Sequence, residues 1–126
     1  MAIKNWDTKT SRILYRRFEA GESLIEGLES LALSEGIREA AVTSCIGSLS
    51  QLKLRNLCDR KEGVPAFERQ IINENLELVS AEGYVQPLEE GEIHIAAARP
   101  SVEMFGGHWE DTTCFTGAFM YLQVIK

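Results

Sequence analysis

The chain has 126 residues, 44% of them hydrophobic and 25% charged, and a formal net charge of -6. That length supports one domain, residues 1–126, with one real core, and is too short for two. No apolar run could span a bilayer, and the acidic balance argues against nucleic acid, which needs a basic footprint against its phosphates.

The first residues, Met1-Ala2-Ile3-Lys4-Asn5-Trp6-Asp7, lack the apolar stretch of a signal peptide. Cys45, Cys58 and Cys114 are odd in number, widely spaced and without a C-x-x-C pair. They read as reduced thiols packed as small hydrophobes, and a cytoplasmic location is expected. Ser11 to Phe18 reads as a first strand, and Glu19 to Ser23 turns the chain. Ser23 is placed to cap a helix, with Glu26 completing a capping-box pattern. Leu24, Leu28, Leu31 and Ala32 recur at helical spacing, so an amphipathic helix is predicted from about Leu24 to Glu35. Gly36 stops it.

After Gly36 the pattern is mainly strand. Ala40 to Ile46 is apolar and β-branched, Gly47-Ser48 breaks it, and Leu49 to Leu57 resumes with Leu52, Leu54 and Asn56 in alternation. Asp59 to Pro65 is polar and loop-like, and a short second helix fits Pro65 to Gln70. Leu76 to Val85 alternates, with Leu76, Leu78 and Ser80 on one side. Pro87 to Gly91 reads as a turn. Ile93 to Ala98 forms the next strand, ended by Pro100, which cannot donate to a ladder. Cys114 to Ile125 is a long apolar run, predicted to be buried on both faces. One early helix followed by strands on short turns is an α+β plan on an antiparallel sheet. An apolar C-terminal strand left at an edge invites pairing, so burial between subunits is expected.

Both histidines fall in two short segments, Gly91-Glu92-Ile93-His94-Ile95 and Phe105-Gly106-Gly107-His108-Trp109. Glu92 and His94, two apart on a strand, leave the same face. Two imidazoles and a carboxylate are the ligand set of an open metal site. A plainer reading competes: half-buried histidines hydrogen-bonded across a sheet, with Glu92 capping a turn.

Several segments together resemble the PPC (plant and prokaryote conserved) domain family. Ala20 to Leu24 resembles the family's turn into its helix. Ser44 to Arg55 is similar to its strand-turn-strand signature, and Leu76 to Gly83 to its middle strand. Glu92-Ile93-His94-Ile95 and Phe105 to Trp109 match its histidine segments. The likeness runs from about Ser11 to Ile125. It implies a curved, barrel-like and mainly antiparallel sheet with one main helix, assembled as a homotrimer. It also implies a fold related to acetolactate decarboxylase, a zinc enzyme with histidine ligands. The chain departs from the family where Glu92 replaces the first histidine of a usual His-x-His. It departs again at Thr112, in place of a glycine, and at Met120, in place of a glutamate. It has no AT-hook arm, so the DNA role of the plant members does not carry over.

Three functional classes follow. The first is a divalent metal, zinc by preference, on Glu92, His94 and His108. Glu82, Arg99, Glu103 and Glu110 are the acid-base candidates, none singled out by spacing. The second is a non-catalytic trimer binding a small molecule or protein, with Gly106, Gly107, Trp109 and Arg99 as ligand contacts. Tight sheet packing explains Ala96-Ala97-Ala98 and the glycine pair equally, and a core position explains Trp109. The third, nucleic-acid binding, is the weakest because of the charge. No Gly-x-Ser-x-Gly elbow surrounds Ser44, Ser48 or Ser50. Cys45 lacks an activating base, and no phosphate-cradling glycine motif is present.

Overall fold

The elements run in the order β1 (Arg12–Glu19), α1 (Leu24–Glu35), β2 (Ala40–Lys61), β3 (Val64–Ile72), β4 (Leu76–Val85), β5 (Glu92–Ala98) and β6 (Met104–Val124). The structure is a computed structural model and describes residues 12–86 and 92–125. The predicted turn at Pro87 to Gly91 lies outside the described residues.

Local chemistry builds α1 as the sequence implies. The Ser23 hydroxyl accepts the Glu26 N–H at 3.3 Å and donates to the Asp111 carboxylate at 3.1 Å. One capping residue thus ties the helix start to β6. Gly36 closes the far end at φ 64°, and the Ile37 N–H returns to the Ala32 carbonyl at 2.9 Å. Leu24, Leu28 and Ala32 are buried.

The sheet dominates the fold more than an α+β plan suggests, with α1 as the one helix among the described residues. Its strand order is β1-β6-β5-β4-β2-β3, every pairing is antiparallel, and β2 also pairs with β6. The pairings β2–β4–β5–β6–β2 therefore make a partial, barrel-like ring. Two strands of 22 and 21 residues allow this, because each is long enough to serve several neighbours. Phe18, Leu24, Leu49, Leu52 and Met120 fill the interior and are no more than 1% exposed. Each such side chain contributes about 1.5–3 kcal/mol of burial.

Several expectations are corrected. Gly47 does not break β2, which runs unbroken through it. A Cβ there would meet the Gly117 carbonyl at 2.3 Å, so this glycine marks a close crossing of β2 over β6. Asp59 to Pro65 is not a loop. β2 continues to Lys61, turns at Glu62 and Gly63 (φ 51° and 79°), and returns as β3. Two positive-φ residues between paired strands suit a tight hairpin turn. The short helix over Pro65 to Gln70 is absent, because that segment pairs with β2 as strand. In β4 the inward set is Leu76, Leu78 and Ala81 rather than Ser80, since the register slips between Leu78 and Ser80.

The C-terminal run is also different from its prediction. β6 begins at Met104, pairs with β1, β2 and β5, and is no edge. Its inward side chains, Ala118, Met120, Leu122 and Val124, are buried, but Phe115, Phe119 and Tyr121 remain exposed. Cross-strand neighbours extend that apolar outer face. Tyr15 stacks on Tyr121 at 5.1 Å, Arg17 lies 5.5 Å from the Phe119 ring, and Ile46 is register partner to Phe119. Among the cysteines, Cys45 and Cys114 are buried and Cys58 is exposed. Desolvation, helped by Cys114 nearby, pushes the Cys45 thiol up to about 12, so it is inert packing. No helix of the described residues is long and apolar enough to cross a membrane.

Candidate metal centre

Strand geometry brings the three predicted ligands together. Glu92 and His94 leave the outer face of β5, while Ile93, Ile95 and Ala97 between and beyond them are buried. The antiparallel register sets His94 directly opposite His108 of β6. Directly opposed residues share a face. The two imidazole centroids are 5.2 Å apart at 69°, and His108 Nδ1 is 3.7 Å from Glu92 Oε1. One ligand atom from each of the three side chains lies within 4.8 Å of the others.

This donor set fits a small divalent ion. Bonds of about 2.0–2.1 Å put tetrahedral ligand atoms about 3.4 Å apart. The Glu92–His108 separation is already near that value, and rotation of exposed side chains can supply the remaining closure. Glu92 is 47% exposed and His108 14% exposed, so the cluster is open on one side. Three protein ligands and an open side leave room for water or a ligand atom.

His108 is the most supported of the three. Its edge meets the Phe67 ring at 6.4 Å, and Arg55 Nη2 is 3.5 Å from its Nε2. Guanidinium carries only donors, so in the neutral ring this contact makes Nε2 the acceptor. The ring proton then sits on Nδ1, toward Glu92, and an ion bound there must displace it. The His108 backbone N–H donates to Asn56 Oδ1 at 2.9 Å.

The other predicted residues separate into groups. Arg99 lies seven residues along from Glu92. Its guanidinium is held by Glu74 at 3.0 and 3.1 Å and by Glu103 at 3.1 Å, and it covers Phe105 at 4.7 Å. The Arg99 hydrogen bonds hold the Glu74 carboxyl below its ordinary range. Arg99 and Gly106 line a cleft of about 410 Å³ with Leu54, Asn56, Gln70 and Phe105 among its walls. Trp109 is 5% exposed and belongs to the core, as strand alternation demands one residue after His108. The space above Gly107 is filled by the Asn56 carboxamide. Thr112 and Met120, the positions that depart from the family pattern, are fully buried.

Of the four acid-base candidates, Arg99 and Glu103 pair with each other, and Glu110 binds Arg69 at 2.8 Å. Glu82 stands opposite His94 in the β4–β5 register, with Tyr84 opposite Glu92. Antiparallel pairing of β4 with β5 is what singles out Glu82. Arg55, Asn56 and Phe67 were missed as site residues. Their approach depends on the β2–β3 hairpin, whose turn was hidden in a segment read as loop.

The chain matches the Plants and Prokaryotes Conserved (PCC) domain over residues 7–125. It belongs to that family. No curated protein matches it. Among solved structures, a metal-containing protein from Archaeoglobus fulgidus is 20% identical with a TM-score of 0.84, covering 98% of this chain and 86% of the other. A putative DNA-binding protein from Bacteroides thetaiotaomicron is 14% identical with a TM-score of 0.77, covering 93% and 83%. Acetolactate decarboxylase from Bacillus subtilis is 15% identical with a TM-score of 0.61. That match covers 92% of this chain but 53% of the enzyme, so this chain spans about half of the enzyme's length. At such identities the likeness is one of fold.

Proposed function

We propose that this PCC domain is a homotrimer holding a divalent metal, zinc by preference, on Glu92, His94 and His108 in a cleft near a subunit boundary. The convergence of three ligand atoms within 4.8 Å on one sheet face carries the reading. A metal bound there would polarise a water or carbonyl oxygen at its open position. Glu92 and His94 bind as a pair from β5, and His108 closes the set from β6. Glu82, register partner of His94, is the candidate to exchange a proton with a bound ligand. The exposed Tyr15, Phe119 and Tyr121 face is the surface that assembly would cover. The metal-containing relative from Archaeoglobus fulgidus supports the metal, and the cytoplasm remains the expected location.

A second reading rests on the cleft beside Gly106, which suits a small uncharged molecule. Its Arg99 is already engaged by Glu74 and Glu103, while Leu54, Ile72 and Phe105 are apolar and Asn56 and Gln70 supply amides. Both readings leave nucleic acid aside, since the chain carries a net charge of -6.

Elemental analysis of tag-free protein tests the metal. Wild type is expected to hold about one ion per chain, and a His94→Ala, His108→Ala double variant almost none. Equal, substoichiometric content in both would overturn the site. Metal retention should also fall as pH is lowered, because imidazole must be neutral to bind.

A further inference from the structure

Asn56 sits where the β2–β6 ladder ends. Paired residues run along these strands as far as Leu54 and Trp109, and beyond that point the two backbones part. Asn56 bridges the gap with its side chain. Oδ1 accepts the His108 N–H at 2.9 Å, and Nδ2 donates to the Gly106 carbonyl at 3.3 Å. The carboxamide therefore makes the two bonds that a neighbouring strand backbone would have made. Gly107 between them is shaped to admit it. A Cβ on Gly107 would lie 1.8 Å from Asn56 Oδ1 and 2.5 Å from its Cγ, and its φ of 153° disfavours any side chain.

The placement matters because the ligands are unequal. Glu92 and His94 share β5, and their spacing is fixed by the strand itself. His108 alone comes from β6, so closure of the cluster depends on where β6 sits relative to β5. On one side β6 is held by the β5 register at His94, Ile95 and Ala96. On the β2 side the backbone of this stretch is bonded by Asn56, while Arg55 Nη2 meets only the His108 ring, at 3.5 Å.

We propose that Asn56 is the positioning residue of the metal centre, an amide clamp on Gly106-Gly107-His108 that fixes His108 against Glu92 and His94. The proposal rests on the metal reading above and names the residue that sets the site's affinity. Supporting partners of metal ligands change affinity by about 10- to 100-fold when removed. A residue that only stabilised the sheet would lower the unfolding midpoint and leave the affinity of the folded protein alone.

Zinc competition against a chromophoric chelator, with urea unfolding of the metal-free protein alongside, decides it. Asn56→Ala is expected to weaken zinc binding by about 10- to 100-fold. Asn56→Asp keeps the acceptor for the His108 N–H but turns the donor to the Gly106 carbonyl into a second acceptor, so it should recover only part of that loss; it also serves if the alanine variant does not fold. Gly107→Ala displaces the amide and should weaken zinc in the wild-type background. In an Asn56→Ala background it should cost less affinity, because the amide it would displace is gone and only the backbone strain at Gly107 remains, so the two effects are not additive. Zinc on the wild type with unchanged affinity in folded Asn56→Ala would overturn the clamp alone. No zinc on the wild type would overturn the metal reading and the clamp together.

Discussion

β6 carries two outer faces of opposite character. Its first half, around Gly106, His108 and Glu110, is half-buried and polar, with side chains from β2, β3 and β5 leaning over it. Its second half bears Phe115, Phe119 and Tyr121 at 42%, 37% and 47% exposure, flanked by Tyr15 and Ile46 of the neighbouring strands. One strand thus offers a small set of converging polar atoms at one end and a broad apolar surface at the other. The first is suited to an ion. The second is suited to another protein surface, since a contiguous exposed apolar patch marks an interaction site.

The sharpest contrast lies between adjacent residues of the second half. Met120 is fully buried and Tyr121 is exposed. Met120→Ala is expected to lower the unfolding free energy by about 2–5 kcal/mol, through lost contacts and the cavity left behind. Urea unfolding would read this as a lower midpoint with the same slope. A loss below about 1 kcal/mol would mean that the two faces of β6 are less distinct than their burial implies.

A smaller effect on the fold, and a larger one on assembly, is expected for Phe119→Asp combined with Tyr121→Asp. Exposed positions of this kind change the stability of a single chain by about 0.5 kcal/mol. If the proposed trimer assembles through this face, two charges in it should nonetheless reduce the solution mass from three chains to one. Zinc per chain should be retained, because all three ligands come from the same chain. An unchanged mass would detach the aromatic face from assembly.

The same strand shows what was legible in the sequence. The helix and its caps were readable because Ser23, Glu26 and Gly36 act over three or four residues. The ligand pair Glu92 and His94 was readable for a similar reason, since a two-residue spacing alone fixes a shared face. His108 was found by its residue type, but its register against His94 is a long-range fact. Asn56 looked like one more member of an alternating strand, and its meaning emerges only where β2 and β6 diverge. The Cys114 to Ile125 run misled because composition reports apolarity and not which face is covered. Phe119 and Tyr121 are apolar enough for a core, yet a single chain leaves them outside.

The smallest expected effects separate two ion pairs that flank the two halves of the sheet. Arg16 Nη2 meets Glu22 Oε2 at 2.7 Å with side chains 28% and 33% exposed, whereas Arg69 meets Glu110 at 2.8 Å with 70% and 35%. Glu22 also accepts the Glu19 N–H at 2.8 Å, and that bond, ahead of Arg16, holds its carboxyl below the ordinary 4.5. A carboxylate with a lowered folded value stabilises fully above its unfolded value. Its contribution is then lost as pH falls below 4.5 through the folded value. Glu22→Gln should therefore cost up to about 1 kcal/mol at pH 7 and converge on wild type at strongly acid pH. Glu110→Gln should cost less at neutral pH, because its arginine partner is mostly in water. Urea midpoints for both variants across pH 7 to 2.5 give the comparison. A larger loss for Glu110→Gln would show that the exposed pair beside His108 is held more firmly than its solvation suggests.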